Sequence, residues 1–142
     1  MKVDTVLTGF PPGKGEDAGL LNVCGLVRYP GWPMAGESTH TVVVMVSTAN
    51  QEEASKIADL AVQSRLAACA STIPTVRSTY WWEGKIVNDQ EALILMKTTS
   101  DKVLALQAAI LKVHSYKVPE IIAISVEHGF QPYLDWVRRE VS

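Results

Sequence analysis

Residues 69–97 read CASTIPTVRSTYWWEGKIVNDQEALILMK, and this stretch decides the fold. Its first half, which ends at Trp82, is rich in Thr, Ile, Val, Tyr and Trp, the residue types that favour strands. Glu83-Gly84-Lys85 then predicts a tight turn, because glycine accepts a positive φ. Ala92–Lys97 (ALILMK) is the strongest part of a returning strand. The stretch therefore predicts a long antiparallel hairpin.

A strand and a helix are predicted before the hairpin. Thr41–Ser47 (TVVVMVS) is a β-branched run of strand length. Asn50 offers a side-chain cap with Glu53 three residues later, which is a capping-box arrangement. The helix should run to about Leu66. Its apolar residues follow at helical spacing and are Ala54, Ile57, Ala58, Ala61 and Val62.

A helix, a strand and a last helix are predicted after the hairpin. Ser100 can cap the first of these helices, and Pro119 forbids its continuation. Ile121–Val126 (IIAISV) reads as a strand, Gly129 breaks it, and Pro132 suits the first turn of a final helix. The order predicts an α+β protein: a ferredoxin-like βαββαβ sandwich with an antiparallel sheet and a C-terminal helix.

Three strands are apolar at successive rather than alternating positions, namely Val42–Val46, Leu93–Met96 and Ile121–Ile124. Successive side chains point to opposite faces of a sheet, so both faces require burial. Only two long helices are available, and they cover one face. A second copy of the chain is the simplest cover for the other, and the pattern therefore predicts a homo-oligomer.

Composition excludes several partner classes. The 142 residues carry a net charge of -2, so no clustered positive field points to nucleic acid or an anionic membrane. No apolar run reaches the roughly 20 residues that a membrane helix needs. Two cysteines, Cys24 and Cys69, form no disulfide framework. Together with the lack of a convincing signal peptide, these features predict a cytoplasmic protein.

Residues 1–38 differ from the rest because glycine and proline interrupt them repeatedly. We expect a flexible N-terminal leader followed by one domain at residues 39–142. The alternative is an ordered arm that lies on a neighbouring subunit through its apolar residues, which are Leu21, Val23, Leu26, Val27, Tyr29 and Trp32.

Known catalytic and metal motifs are missing from the sequence. No Gly-x-Ser-x-Gly, Walker loop, Cys-x-x-Cys or His-Glu-x-x-His is present, and no two histidines have i,i+3 or i,i+4 spacing. Cys69 reads as a small buried hydrophobe. The Tyr80-Trp81-Trp82 group has two readings: interface packing, or the wall of a ligand pocket. An enzyme that uses Lys97, His114 and Glu120 is a further possibility, but the sequence suggests no substrate for it.

Several of these residues together resemble the CutA family. The matching segments are Leu66-Ala67-Ala68-Cys69, Ser78-Thr79-Tyr80-Trp81-Trp82-Glu83-Gly84-Lys85, Lys97-Thr98-Thr99, His114-Ser115-Tyr116, Val118-Pro119-Glu120-Ile121 and Tyr133-Leu134-Asp135-Trp136. They occur in order from about residue 41 to the end.

The resemblance implies a stable homotrimer linked to divalent-cation tolerance, especially of copper, with no catalytic activity and no required cofactor. It also implies a polar pocket between subunits. The residues that would map to that pocket are Trp82, Lys97, His114, Tyr116, Glu120, Tyr133 and Trp136.

Departures from the family pattern affect the expected metal chemistry. Copper-binding members carry a cysteine where this chain has Val46, and a histidine pair where it has Val113-His114. Ser115 and Lys117 replace a proline and an acid. His114 remains as the candidate ligand for Cu²⁺ or another divalent cation. Loss of a thiolate and an imidazole should weaken copper binding, because soft ligands select that metal.

The leading functional prediction is a non-enzymatic, trimeric divalent-cation tolerance protein. One alternative is a small-molecule signalling module like the PII trimers, which share the subunit fold. These use a long loop between the second and third strands, where this chain has only the Glu83-Gly84-Lys85 turn. The other alternative is a trimeric scaffold for another protein.

Overall fold

The structure, a computed structural model, describes residues 38–142; the predicted leader lies almost wholly outside them. The elements are β1 (Thr41–Thr48), α1 (Gln51–Gln63), β2 (Cys69–Trp82), β3 (Lys85–Thr99), α2 (Val103–Val113), β4 (Ile121–Ser125) and α3 (Gln131–Glu140). The strands form one antiparallel sheet in the order β2-β3-β1-β4. The predicted fold class is confirmed. None of the described helices is long and apolar enough to span a membrane.

One face of the sheet carries the hydrophobic core. Alternate residues of β1 and β3, such as Val44 and Ile94, are fully buried against α1 and α2. The helices contribute Ile57, Leu106 and Ile110 to the same cluster. This helix-covered face follows from strand alternation, because every second side chain points to it.

The opposite face, here called the open face, carries Val43, Met45, Leu93, Leu95, Ile122 and Ile124. Ile122 and Ile124 remain 47% and 49% exposed. Helix α3 contacts β1 and β3. Its Val137 is fully buried outside the main core cluster, and its Tyr133 lies beside Cys69, whose register partner is Lys97. Helix α3 therefore covers only one end of the open face.

The β2–β3 hairpin turns through two residues rather than three. Glu83 (φ 47°) and Gly84 (φ 75°) both have positive φ values, the conformation of the turn that matches strand twist. Lys85 already belongs to β3 and pairs with Trp82. The register shifts between Ile73 and Val76, next to Pro74, which cannot donate a ladder hydrogen bond.

The predicted start of α1 is confirmed, and its predicted end is three residues too late. Glu53 N donates to Asn50 Oδ1 at 2.9 Å, and Ala49 N donates to Glu53 Oε2 at 3.0 Å. The helix ends at Gln63, because Arg65 adopts a left-handed φ of 55°. Leu66 N then donates back to Ala61 O at 2.9 Å.

Ser100 was predicted to cap the second helix, and this prediction is wrong. A 3-10 turn over Ser100–Lys102 precedes α2, whose cap residue Lys102 makes no side-chain cap hydrogen bond. Ser100 Oγ instead accepts from His40 N at 3.3 Å. The hydroxyl thereby joins the start of β1 to the end of β3.

Candidate functional site

A cavity of about 550 Å³ lies between the β2–β3 hairpin and the segment after α2. Of the strand residues that line it, Ser47, Ser78, Tyr80 and Glu91 belong to the open face, whereas Thr79 points to the opposite face. Its walls are Ser47, Ser78, Thr79, Tyr80, Glu91, Tyr116, Val118, Pro119 and Glu120. Two of the seven predicted pocket residues, Tyr116 and Glu120, are therefore in this cavity.

Two tyrosine–carboxylate pairs stand in the cavity wall. Tyr116 Oη donates to Glu91 Oε1 at 2.9 Å, and Tyr80 Oη donates to Asp89 Oδ2 at 2.5 Å. Burial and the Glu91 hydrogen bond raise the pKa of Tyr116 well above its usual range. The hydrogen bond to Asp89, followed by burial, raises the pKa of Tyr80 to about 12. Both phenols therefore stay protonated donors at neutral pH.

His114 and Glu53 fix the segment that carries Tyr116. The His114 side chain is fully buried. Its Nε2 donates to Ser47 O at 2.8 Å, while Nδ1 accepts from Tyr116 N at 3.0 Å, so the neutral ring satisfies both bonds in one tautomer. Glu53 Oε1 accepts from Ser115 N at 2.6 Å. The capping carboxylate of α1 thus also positions the entrance to the cavity.

Replacing Glu53 by glutamine should make the free energy of unfolding less sensitive to low pH. Burial raises the pKa of Glu53, but hydrogen bonds from Ser115 and Ala49 outweigh it and lower the pKa below 4.5. The depressed pKa contributes stability that is present above pH 4.5 and is lost as the pH falls through the lowered native value.

Chemical denaturation from pH 7 to pH 3 measures this effect. We expect Glu53→Gln to be about 1–3 kcal/mol less stable at pH 7, because Ala49 N and Ser115 N both lose a charged acceptor and the single amide oxygen can serve only one of them. The difference should shrink as the pH falls. Asp59→Asn, on the exposed side of the same helix, is the control. A stability difference between Glu53→Gln and wild type that is constant with pH would contradict this role.

The other predicted pocket residues lie elsewhere. Lys97 Nζ donates to Ser71 Oγ at 2.7 Å and to Leu95 O at 3.1 Å. The rings of Tyr133 and Trp136 on α3 pack with centroids 5.5 Å apart and their planes tilted by 34°. Lys97 is six residues beyond Glu91 on β3, which is about 20 Å along an extended strand. Trp82, half-buried, ends β2 at the hairpin turn. Within one subunit, the seven predicted pocket residues therefore do not lie together in one pocket.

The residues at the expected copper positions do not fit a preformed copper site in one subunit. Val46 is fully buried in the core, and Val113 is 51% exposed. Both nitrogens of His114 are already hydrogen-bonded. Across residues 38–142, no group of three or more His, Cys, Asp or Glu residues is arranged to hold a metal ion. A metal at His114 stays a prediction, and it would have to displace one of these bonds.

Sequence reasoning missed Glu53 as a support and Glu91 as a wall of the cavity. Glu91 is only 9% exposed. A signal for it was present, since Glu91 shares strand alternation with Leu93 and Leu95 and is therefore a carboxylate on an otherwise apolar face. The Glu53–Ser115 contact spans 62 residues of sequence, and no local pattern indicates it.

The fold and the site define a ferredoxin-like α+β protein with a hydrogen-bonded polar cavity at the edge of the open face. The CutA1 divalent ion tolerance protein family model matches residues 42–140. The chain belongs to this family.

Individual relatives agree with this assignment. The chain is 42% identical to the divalent-cation tolerance protein CutA of Thermus thermophilus over 96 residues, which cover 68% of this chain and 93% of that protein. It is 47% identical to the human protein CutA over 94 residues, which cover 66% of this chain and 52% of that protein, so it spans about half the human relative.

Solved structures also match the fold. The periplasmic divalent cation tolerance protein CutA from Archaeoglobus fulgidus superposes with a TM-score of 0.70 at 33% identity. The alignment covers 72% of this chain and 99% of that one. The Thermus thermophilus structure has a TM-score of 0.69 at 40% identity and covers 70% and 97% of the two chains.

Proposed function

We propose that this CutA-family chain acts in divalent-cation tolerance as a non-enzymatic homotrimer in the cytoplasm. The observation that supports assembly is the open face, whose β4 isoleucines are about half exposed. Apolar side chains in a contiguous patch gain free energy when a partner covers them. The number three comes from the family resemblance.

The separation of the pocket residues supports the same proposal. Tyr116 and Glu120 line the cavity, whereas Lys97, Tyr133 and Trp136 lie near the α3 end of the open face. Packing open faces around an axis would bring one subunit's cavity toward another subunit's α3. The complete polar pocket would then form only in the assembly.

The cation response we propose does not need a preformed copper site within one subunit. His114 positions Tyr116 through its ring, and Val46 and Val113 supply no metal-binding atoms. The PII-like alternative loses support, because the β2–β3 connection is only Glu83-Gly84. Cu²⁺ or another divalent cation remains a proposed effector without a defined ligand set.

Growth at inhibitory copper concentrations tests this role. In a host strain that lacks its own family member, we expect wild type to restore growth. His114→Gln should restore it as well, because glutamine can both donate and accept. If cells with the wild-type protein, at confirmed expression, grow no better than cells with empty vector, the proposed tolerance function is wrong. Failure of His114→Gln alone, with its trimer intact, would reinstate His114 as a metal ligand.

A further inference from the structure

The cavity beside Glu91 presents hydrogen-bond acceptors and negative charge. Tyr80 and Tyr116 donate their protons to carboxylates, so their phenolic oxygens can offer only lone pairs to the interior. Glu91 and Glu120 add two carboxylates, and no Lys, Arg or His is among the lining residues. A ligand of this cavity must therefore supply the hydrogen-bond donors.

Glu91 is the buried acceptor at the centre of this arrangement. It is 9% exposed, and its Oε1 is occupied by Tyr116 Oη. No donor from residues 38–142 reaches Oε2, although Glu91 lines the cavity. Oε2 is not one of the fully buried polar atoms without a partner among the described residues, so it keeps access to solvent. A charged donor that enters the cavity would replace water at this oxygen and form a charge-assisted hydrogen bond.

The chemistry of the walls restricts the donor. Two carboxylates repel phosphate and carboxylate ligands. Among the described residues, no three His, Cys, Asp or Glu side chains are grouped so as to hold a metal ion, which favours an organic cation over a metal. Val118 and Pro119 give one wall an apolar surface, which suits an alkyl stem. An ammonium group combines positive charge with three N–H donors.

We infer that this cavity is a binding site for an alkylammonium group, held by Glu91 Oε2 with Glu120 and the two tyrosine oxygens. The inference rests on the proposed function only in taking the trimer as the working form. Two sources share this chemistry: a free small amine, or a lysine side chain of a second copy. Lys97 is the candidate in the second case. It lies on the same sheet face, and no carboxylate pairs with it among residues 38–142.

Calorimetric titration of the full-length assembled protein with putrescine and n-butylamine tests the inference. Butyrate is the negative control, because it has an alkyl chain of similar size and the opposite charge. Glu91→Gln keeps an acceptor for Tyr116 and removes the charge. We expect it to weaken amine binding at least about tenfold, because the ammonium group loses a charged acceptor. Glu127→Gln, an exposed glutamate outside the cavity, should bind as wild type does.

A Lys97→Met variant separates the two sources. Amine binding by wild type that Glu91→Gln weakens identifies a free amine as the ligand. Binding that appears only in Lys97→Met, and is lost again in Lys97→Met/Glu91→Gln, identifies the second copy's lysine. No amine binding in wild type or Lys97→Met overturns the inference, as does binding that Glu91→Gln leaves unchanged.

Light scattering on each variant distinguishes the absence of an amine site from the absence of the proposed trimer. Trimers that do not bind amines refute the ammonium site and leave the assembly intact. Amine binding by monomers that depends on Glu91 supports the site with a free amine as its ligand and refutes the trimer.

Discussion

A chain that carries Ile122→Glu and Ile124→Glu is expected to lose its trimer and to elute as a monomer. Both side chains project from edge strand β4 onto the open face, opposite Met45 and Val43 in register. In the proposed trimer, two carboxylates per subunit would enter an apolar interface. Burying an unpaired charge costs several kcal/mol, which exceeds what the isoleucines contribute to assembly.

Size-exclusion chromatography with light scattering, at one protein concentration, gives the measurement. Leu111→Glu/Val113→Glu is the matched control, because these α2 residues are 47% and 51% exposed but do not lie on the open face. The control should keep the wild-type mass. If both double variants dissociate, or neither does, the open face is not the interface.

Leu106→Ala should be the most destabilising single truncation in α2. Leu106 is fully buried in the core between the sheet and the two helices that cover it. Deleting its methyl groups removes burial and leaves a cavity, for an expected loss of about 3–5 kcal/mol. The loss should appear mainly as a lower denaturation midpoint with little change in slope.

Leu111→Ala provides the same chemical change on the same helix at a side chain that is 47% exposed. We expect it to cost about 1 kcal/mol or less, since partly exposed surface positions lose little burial. Equilibrium denaturation must use one protein concentration for all variants, because assembly contributes to apparent stability. Equal losses in the two variants would contradict the assigned core.

Local patterns in the sequence predicted most of the fold. Cys69–Trp82 was predicted with its observed bounds, because β-branched and aromatic residues continue up to a glycine turn. The Asn50 cap follows from its spacing to Glu53. Ser100 shows the limit of such reasoning. Its hydroxyl contacts His40, 60 residues away, and a tertiary partner displaced the local cap.

The candidate site was less predictable, because long-range contacts build it. Tyr116 and Glu120 were placed in a pocket through the family resemblance, and they do share a cavity. Tyr80 belongs to the aromatic group for which a pocket wall was one of two predicted roles, and it lines the cavity. Glu91 joins it through the β2–β3 pairing, which a list of motifs does not contain. The position of α3 over only one end of the open face likewise depends on packing rather than on the periodicity of Leu134, Val137 and Val141.

The mass of the wild-type chain in solution tests the central claim, that a second and third copy cover the open face and complete the pocket. One chain has a mass of 15.5 kDa. Light scattering across a range of protein concentrations should give three times that value. A mass of 15.5 kDa at all concentrations would contradict the account, because the open face would then be uncovered and the pocket residues would remain apart.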